Sequence, residues 1–394
     1  MLKGKTIVLG VTGSIAAYKI ANLARMIKKL GGNVHVLMTK NAENFINPFT
    51  FETLTQNKCL IDTFDRSFEY SVEHVSIAKQ ADVVMIAPAS ANVIGKIANG
   101  IADDMLTTTV MACPCKKIIA PAMNHNMYHN PIVQDNLKKL ERFGYEIAAP
   151  EHGMLANGDT GDGRMPDEAV LLEYIIREVY HKKDLAGKRV LVTAGATCEP
   201  IDPVRYITNH STGKMGIAIA KAAMYRGADV TLIKAHTGVD PPMFVDVVEV
   251  TTADEMFSAV TACDADIIIK AAAVADYTPA AVAEEKIKKT DDSAEIKLCR
   301  TKDILKHLGK NKKAFLCGFS METENVIENS KKKLMSKNLD MICANSLRQK
   351  GAGFGTDTNI ITLITRDCVT ELPLMSKLDA ANAILDKISE ELGI

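Results

Sequence analysis

Residues 195–216 read GATCEPIDPVRYITNHSTGKMG and lie between an apolar run at 190–193 and a helix-like run at 217–223. A strand therefore ends in a long loop, and the loop ends where a helix begins with Ser, Thr, Gly and Lys. Such a helix start offers an anion free backbone N–H groups, the positive end of the helix dipole and one mobile cation. The block predicts a phosphate-binding site.

A second strand, glycine turn and helix open the chain, where residues 7–14 read IVLGVTGS. A chain of 394 residues is longer than one hydrophobic core usually covers, so two domains are expected. A polar joint, KKDLAGK at 182–188, precedes the strand that leads into the central block. We therefore predict one domain over 1–184 and another over 185–394, each with its own phosphate-binding unit.

The composition excludes several classes of protein. With 47 basic and 48 acidic residues, the net charge of −1 argues against a general nucleic-acid or membrane-surface binder. The nine cysteines are scattered without a pair of CxxC motifs, which is typical of reduced thiols in a cytosolic protein. We find no signal peptide and no apolar run of membrane-spanning length. The expectation is a cytoplasmic protein that binds neither nucleic acid nor membrane.

Short apolar strands alternate with helix-like segments in both halves. The predicted strands of the first half are 6–11, 33–38, 82–87, 117–120 and 145–148. Those of the second half are 189–193, 229–233, 267–270, 314–318, 339–344 and 359–365, before a final helix at 377–392. This alternation predicts an α/β protein with two doubly wound (Rossmann-like) domains and mainly parallel sheets.

Small, hydroxyl and amide residues follow the strands of the first half. Gly13 and Ser14 follow the first strand, Thr39 the second, PASAN at 88–92 the third and PAMN at 121–124 the fourth. Ligands of such folds bind at the carboxyl ends of the strands. An acidic residue after the second strand would favour a dinucleotide. Because Thr39 stands there instead, we predict a mononucleotide phosphate held by Ser14, Thr39 and backbone amides.

These motifs, taken with His74, resemble the FMN-binding cysteine decarboxylase family. That family includes phosphopantothenoylcysteine decarboxylases and enzymes that oxidatively decarboxylate peptide C-terminal cysteines. The resemblance implies that His74 is the active-site histidine and that Asn124 binds the substrate carboxylate. The cofactor-binding residues that it implies are Gly13, Ser14, Ile15, Thr39, Ser90, Ala91 and Asn92. By itself, His74 would be taken for a surface or packed histidine.

The chain departs from this family at one catalytic position. The family flap reads roughly A-C-G-D-x-G-x-G-R, and its cysteine donates the proton that completes the reaction. Residues 156–164 read ANGDTGDGR, so Asn157 occupies the cysteine position, and an amide has no such proton to give at neutral pH. Either another group protonates the intermediate, the flap positions a water, or this half stops at the oxidised intermediate, as a variant made to trap it would.

The second half resembles the phosphopantothenate–cysteine ligase family. The matching segments are 202–216, AAAVADY at 271–277, EKIKK at 285–289, GF at 318–319 and KNLDMICAN at 337–345. The resemblance implies that Asn209 serves the acyl-intermediate step and that Lys286 is catalytic. The implied CTP-binding residues are Asp276, Lys286, Phe319, Lys333 and Lys337, with Ser211, Gly213 and Lys214 at the triphosphate.

A decarboxylase-like half followed by a ligase-like half resembles the bifunctional bacterial and archaeal enzymes of coenzyme A biosynthesis. They imply a ligase that joins cysteine to 4'-phosphopantothenate through a cytidylyl intermediate, with CTP and Mg²⁺. They also imply an FMN-dependent decarboxylase that converts phosphopantothenoylcysteine to 4'-phosphopantetheine. A homo-oligomer, a dodecamer that combines trimers and dimers, follows from the same resemblance. The motifs identify no metal ligands.

Two alternatives remain open from the sequence. In the first, only the ligase is active and the first half is a flavin-binding module; Asn157 favours this alternative. In the second, the chain is a nucleotide-dependent dehydrogenase that binds NAD(P)H. Release of CO₂ from phosphopantothenoylcysteine separates the first alternative from the bifunctional enzyme, and a flavin spectrum counts against the second.

Overall fold

The computed structural model describes residues 1–63, 73–155, 158–288, 295–322, 324–346 and 355–394. They form two compact units, Met1–His181 and Lys182–Ile394. Each unit is built on a twisted sheet whose strands alternate with helices, so the predicted fold class is confirmed. Within the described ranges, no helix combines the length and the apolarity that crossing a membrane requires.

The first unit contains a five-stranded parallel sheet in the order β2-β1-β3-β4-β5. Its strands are β1 (Thr6–Val11), β2 (Asn33–Met38), β3 (Val83–Ala89), β4 (Lys116–Pro121) and β5 (Glu146–Ile147). The chain moves from β1 to one side for β2 and to the other side for β3. Such a reversal opens a crevice at the carboxyl ends of β1 and β3, where doubly wound folds bind ligands.

Eight helices accompany this sheet in the described part of the first unit. They are α1 (Ala17–Lys29), α2 (Pro48–Thr55), α3 (Glu73–Gln80), α4 (Ala91–Ala98), α5 (Met105–Ala112), α6 (His125–Tyr128), α7 (Pro131–Arg142) and α8 (Glu168–Val179). A 3₁₀ turn covers Lys40–Asn44. Val8, Val84 and Ile86 pack against α4, α5 and α7 in one buried cluster. The alternate strand positions face α1 and α8, because side chains of a strand alternate between its two faces.

An antiparallel hairpin follows β5 in the chain and precedes α8. It consists of β6 (Glu151–Met154) and β7 (Thr160–Arg164), and we call it the flap. The N–H of Met123 donates to the carbonyl oxygen of Gly163 at 3.1 Å. Gly163 has a φ of +129°, and a Cβ there would lie 2.2 Å from the carbonyl oxygen of Met123. Only glycine permits the flap to approach the end of β4 this closely.

The second unit has an eight-stranded sheet in the order β12-β11-β8-β13-β16-β17-β19-β20. Its first six strands are parallel to one another, and β19 runs antiparallel to both of its neighbours, β17 and β20. The strands are β8 (Arg189–Ala194), β11 (Asp229–Lys234), β12 (Asp246–Glu249), β13 (Ile267–Lys270), β16 (Phe315–Glu322), β17 (Met341–Ser346), β19 (Thr362–Ile364) and β20 (Val369–Glu371).

Helices cover both faces of this second sheet. They are α9 (Lys214–Tyr225), α10 (Ala253–Ala262), α11 (Ile304–Lys310), α12 (Val326–Ser336) and α13 (Lys377–Leu392). Leu191, Ile268 and Ile342 pack against α10, α11 and α12. On the other face of the sheet, α9 packs against β8 and also against α13.

Short hairpins and one strand break differ from the sequence-based expectation. The pairs β9 (Cys198–Pro200) with β10 (Tyr206–Thr208), β14 (Tyr277–Pro279) with β15 (Leu298–Arg300), and β18 (Thr358–Asn359) with β21 (Met375–Ser376) were not predicted. The predicted strand 359–365 is wrong as one element. Asn359 pairs with Met375, whereas Thr362 pairs with Ala344, so the chain changes partner between them.

Candidate functional sites

The loops after β1 and β3 of the first unit are tied together by Thr12. This residue is fully buried, and its hydroxyl donates to the carbonyl oxygen of Pro88 at 2.7 Å. The same hydroxyl oxygen accepts the N–H of Ser90 at 2.9 Å. The tie fixes the predicted cofactor segment at Ser90 and Ala91 beside the turn at Gly13.

Thr39 carries an unsatisfied polar group at the end of β2. Its N–H donates to the carbonyl oxygen of Val11 at 3.1 Å, which holds the residue at the sheet edge. Its buried hydroxyl oxygen has no hydrogen-bond partner within the part of the chain that the structure describes. Burying a hydroxyl without a partner costs free energy, and a bound anion would supply the partner.

Gly13 adds a second constraint beside Thr39. A Cβ at Gly13 would lie 2.8 Å from the Cβ of Asn41, in the 3₁₀ turn after β2. A larger residue would push the β1–α1 turn away from the end of β2. The close approach therefore keeps the start of α1 near the unpartnered hydroxyl of Thr39.

A cavity of about 600 Å³ opens at this edge of the first unit. Its volume is in the range of small-molecule and cofactor pockets. The cavity is lined by the start of α1, the end of β4 and the flap: Ser14, Ile15, Ala16, Tyr18, Lys19, Ala122, Met123, Asn124, Met154, Leu155, Gly163, Arg164 and Met165. It thus brings together Ser14, Ile15 and Asn124 from the predicted site residues.

Asn124 occupies the N-cap of α6. Its side-chain oxygen accepts the N–H of Asn126 at 2.9 Å, which fixes the orientation of the amide. With the oxygen engaged, the NH₂ group is the end of the side chain that is left to donate to a ligand in the cavity. This geometry suits the predicted role of Asn124 toward a carboxylate.

Other predicted residues lie outside the cavity lining. Gly13, Thr39, Ser90, Ala91 and Asn92 stand at the ends of the neighbouring strands. His74 is half-buried on α3 and is not among the lining residues. Asn157 lies outside the described residues, so the structure gives no position for it.

Two cations in the cavity lining were not predicted as site residues. The Nζ of Lys19 lies 3.1 Å from Asp167, and a guanidinium nitrogen of Arg164 lies 3.2 Å from the same carboxylate oxygen. Lys19, and to a lesser extent Arg164, holds the pKa of Asp167 below its usual value. Arg164 also lies 3.9 Å from the carboxylate of Glu151, so an anionic ligand would compete with two carboxylates for these two cations. Arg164 belongs to the flap motif, whereas no motif marks Lys19.

The central sequence block forms a helix start that packs tightly against the sheet of the second unit. Gly213 is the N-cap of α9 with a φ of +74°. A Cβ at Gly216 would lie 2.6 Å from the Cβ of Ala194 and 2.8 Å from the carbonyl oxygen of Thr193. Glycine at this position therefore lets the first turn of α9 approach the end of β8, with its N–H groups directed to the loop side.

A second cavity, of about 190 Å³, lies at this helix start. Its lining comes from the central block, the loop after β13, strands β16 and β17, and the region of α13: Ser211, Thr212, Gly213, Lys214, Met215, Gly216, Ala271, Ala272, Ala273, Phe319, Ser320, Met321, Asn345, Asn359 and Lys377. Of the predicted residues it contains Ser211, Gly213, Lys214 and Phe319.

Lys214 is less free than the sequence suggested. Its ammonium lies 2.7 Å from Asp357 and donates to the carbonyl oxygen of Gly355 at 2.9 Å. The ion pair holds the pKa of Asp357 below its usual value. An incoming phosphate would therefore compete with an existing exposed carboxylate for this cation.

Three unpredicted polar residues complete the lining of the second cavity. Lys377 is buried, donates to the carbonyl oxygen of Thr358 at 3.0 Å, and has a pKa lowered by desolvation and by the charge of Lys214. Asn345 is buried with a side-chain oxygen that has no partner among the described residues. Asn359 stands beside them, its amide 3.6 Å from the sulfur of Met215.

The remaining predicted ligase residues do not line this cavity. Asn209 donates to the carbonyl oxygen of Ala273, a lining residue, at 3.3 Å. Lys337 lies 2.9 Å from Asp303, and Lys333 lies 2.6 Å from Glu322. Asp276 and Lys286 are both exposed.

Asp202 and Arg205 anchor the loop that carries Lys286. The buried carboxylate of Asp202 accepts the Nε–H of Arg205 at 3.0 Å and the backbone N–H of Ile287 at 3.2 Å. Arg205 also donates to the carbonyl oxygen of Ile287 at 2.9 Å. The guanidinium and the backbone donors hold the pKa of Asp202 well below its usual value. The DPVR segment therefore positions a loop distant in sequence.

Lys270 is a further unpredicted cation, at the carboxyl end of β13. Desolvation lowers its pKa to about 8, and the positive charge of Lys337 acts in the same direction. The carboxylates of Asp303 and Asp276 oppose the shift. An anion bound near these residues would stabilise the charged form of Lys270.

Both units match known protein families. Residues 1–180 match the flavoprotein family, and residues 185–392 match the DNA/pantothenate metabolism flavoprotein C-terminal domain. The coenzyme A biosynthesis bifunctional protein CoaBC of Bacillus subtilis is 45% identical and covers 99% of this chain and 98% of its own length. The CoaBC protein of Escherichia coli K12 is 41% identical, covering 98% of this chain and 97% of itself.

Two solved structures each cover part of this chain. The C-terminal domain of a CoaBC protein is 44% identical, covers 54% of this chain and 99% of its own, and has a TM-score of 0.47. The FMN-dependent cysteine decarboxylase SpaF is 35% identical, covers 40% of this chain and 90% of its own, and has a TM-score of 0.39.

Proposed function

We propose a division of labour between the two units, on the premise that this chain belongs to the family of coenzyme A biosynthesis bifunctional proteins, CoaBC. As a member of that family, the chain is a phosphopantothenate–cysteine ligase and a phosphopantothenoylcysteine decarboxylase. We assign the decarboxylase to residues 1–184 and the ligase to residues 185–394. The flavoprotein family of the first unit gives no support to the NAD(P)H-dependent dehydrogenase.

The observation that carries the cofactor assignment is the unpartnered hydroxyl of Thr39. The flavin that we propose for the first unit is FMN, whose phosphate would accept hydrogen bonds from Thr39, Ser14 and the N–H groups at the start of α1. The crevice at β1 and β3 is where folds with this strand order bind their ligands. The residues therefore fit the cofactor.

When bound, FMN would supply the redox chemistry that decarboxylation of the cysteine moiety needs, as an acceptor and donor of hydride. The protein binds and orients the substrate. Asn124 would donate its amide to the substrate carboxylate, and Lys19 and Arg164 are the cations that line the same cavity. We keep His74 as the candidate base, although it stands outside the described cavity lining.

In the second unit we propose CTP as the nucleotide. The N–H groups at the start of α9, with Ser211 and Lys214, suit the triphosphate. Lys286, Lys333 and Lys337 would stabilise the charge that develops when the 4'-phosphopantothenate carboxylate attacks the α-phosphate. Phe319 and Asp276 remain our candidates for the rest of the nucleotide site.

Asn209 is our candidate for stabilising the cytidylyl intermediate before cysteine attacks it. Its amide already points to the carbonyl oxygen of Ala273 beside the cavity. We propose that Mg²⁺ enters with the phosphates, because no described cluster of three histidine, cysteine or acidic residues lies in the second unit. Mg²⁺ commonly keeps waters and binds through substrate phosphates.

One assay tests the division of labour and the remaining alternative. The full-length protein is supplied with CTP, cysteine, 4'-phosphopantothenate and Mg²⁺, and the products are separated over time. Accumulation of 4'-phosphopantetheine with CO₂ release supports both activities. Accumulation of phosphopantothenoylcysteine alone would show that the first unit is a flavin-binding module stalled at Asn157. Omission of CTP or Mg²⁺ should prevent formation of either product.

We also propose that the protein is a cytoplasmic homo-oligomer, a dodecamer by analogy with its family. Apolar side chains on the surface of the first unit support self-association: Phe49 is 70% exposed and Tyr18 is 61% exposed. Tyr and Phe are enriched at protein–protein interfaces relative to the rest of the surface. Light scattering on the purified protein tests this, and a monomer at micromolar concentration would contradict it.

A further inference from the structure

Three histidines surround one carboxylate where the flap meets α6. The Nε2 of His129 lies 2.7 Å from one oxygen of Asp162, and the Nδ1 of His152 lies 2.9 Å from the other. The backbone N–H of Asp162 donates to the Nδ1 of His125 at 3.1 Å. The rings of His125 and His129 stand edge to face, with centroids 4.5 Å apart.

None of these four residues has a role in the proposed reactions. Asp162 occupies a variable position of the flap motif, and the resemblance assigns no role to His125 or His129, which follow Asn124. The cavity lining contains neither the histidines nor Asp162. The cluster therefore requires an explanation separate from flavin or substrate binding.

We propose that His125, His129 and Asp162 bind a divalent transition-metal ion of the Zn²⁺ type, which clamps the flap to α6. One nitrogen from each histidine and one carboxylate oxygen lie within 4.8 Å of one another. Zn²⁺ takes such nitrogen and oxygen ligands at about 2.0–2.2 Å, which places neighbouring ligand atoms roughly 3–3.5 Å apart. Small rotations of the side chains close this difference.

Hydrogen bonds already orient the ligand groups. The Nδ1 of His125 accepts the backbone N–H of Asp162, so its lone pair faces the flap, and a metal bound at this nitrogen would take the place of that N–H. His152 contacts the carboxylate oxygen of Asp162 that His129 does not contact. From there it would orient Asp162 by a hydrogen bond without binding the metal itself.

The cluster of His125, His129 and Asp162 adjoins residues that line the cavity. Asn124 is the N-cap of α6, and Gly163 and Arg164 directly follow Asp162; all three line the cavity. An ion that bridges α6 and β7 would therefore hold the flap against the end of β4. We expect bound Zn²⁺ to slow both opening of the flap and exchange of any molecule in the cavity.

Zinc binding is measured on the full-length protein, stripped with a chelator and kept reduced, by competition with a chromophoric zinc indicator. The variants are His129→Ala and Asp162→Asn, and His307→Asn on the exposed face of α11 is the control. We expect one Zn²⁺ per chain at the site, and at least about tenfold weaker binding in the two cluster variants. The control should bind as the parent protein does. Unchanged affinity in both cluster variants would assign the zinc to other groups, such as the free cysteines, and overturn the proposal.

Hydrogen exchange provides a readout that is independent of catalysis. Zn²⁺ should slow exchange of the β6 and β7 amides in the parent protein and in His307→Asn. It should leave them unchanged in Asp162→Asn, a substitution that keeps the side-chain size and therefore the hairpin. Equal slowing in Asp162→Asn, or no slowing in the parent protein, would contradict a clamp on the flap.

Discussion

Thr12 and Pro88 are joined by a buried hydrogen bond of 2.7 Å, from the hydroxyl of the first to the carbonyl oxygen of the second. The bond connects the ends of β1 and β3, the two strands that flank the cofactor crevice. Ser90 completes the tie through its N–H. The shape of the crevice therefore depends on a threonine that no binding motif identifies.

Thr12→Val should destabilise the protein by about 1–3 kcal/mol, because a carbonyl oxygen and an N–H group would lose their buried partner. Flavin affinity should fall with it, since the loop at Ser90 is no longer fixed. Urea unfolding and flavin titration measure the two effects. Thr53→Val removes a similar hydroxyl bond on exposed α2 and should change stability by less than about 0.5 kcal/mol. Equal effects of the two variants would contradict the role of the tie.

Thr39→Val should weaken FMN binding without destabilising the flavin-free protein. The hydroxyl of Thr39 has no partner in the described protein, so its removal should leave the flavin-free protein as stable as before or more stable. Loss of a hydrogen bond to a charged phosphate costs about 1.5–3 kcal/mol, which is about 10- to 100-fold in the dissociation constant of FMN. Riboflavin, which lacks the phosphate, should bind both proteins equally. A parallel loss of riboflavin affinity would show that the hydroxyl does not contact the phosphate.

Asn157→Cys should accelerate formation of 4'-phosphopantetheine by the first unit. A thiol at this flap position restores a group that can donate the last proton, and positioned acids contribute about 100-fold or more. Product formation and the return of oxidised flavin are followed together. Asn157→Ser, which is small but lacks an acidic proton, should remain slow. If Asn157→Cys shows no rate change, the protonation in this protein comes from another group.

Lys286→Ala should lower kcat of the ligase by about 100-fold while Lys288→Ala, two residues away on the same exposed loop, stays within a few-fold. Asp202→Asn should give an intermediate loss, because it weakens the anchoring of the neighbouring Ile287 without removing the lysine. Pyrophosphate release reports the step. Equal losses for Lys286→Ala and Lys288→Ala would indicate a general effect of loop charge.

Lys270→Met should stabilise the protein most at neutral pH. The pKa of Lys270 is about 8 in the folded protein and 10.5 in the unfolded chain, so between these values the unfolded chain binds more protons. The free energy of unfolding of the parent protein therefore rises with pH across that window, relative to that of the variant. The difference in stability between the two proteins should narrow from pH 8 upward. Thermal unfolding of both proteins from pH 6 to 10.5 measures this difference in stability. Lys306→Met, at an exposed position on α11, should show no such trend. A gap independent of pH would exclude a desolvated ammonium at Lys270.

Local patterns accounted for most of the sheets and for the helix starts at the two loops. Strands such as Thr6–Val11 and Asn33–Met38 were predicted at their observed bounds because they are buried apolar runs between turns. The strand at 359–365 was wrong because its two parts pair with different strands, and pairing partners are not encoded in local periodicity. The short hairpins were missed for the same reason.

Sequence by itself determined the family, the two α/β units and the residues of the motifs, because these depend on residue type and short spacing. Only the tertiary structure decided which of those residues meet. Lys214 meets Asp357 across 143 residues of chain, and Lys377 and Asn345 join the same cavity. The order of strands in the sheet brings these segments together. The burial there lowers the pKa of Lys377 and leaves the side-chain oxygen of Asn345 without a partner among the residues that the structure describes. Such distances and burials arise only when the chain is packed, since no local pattern specifies them.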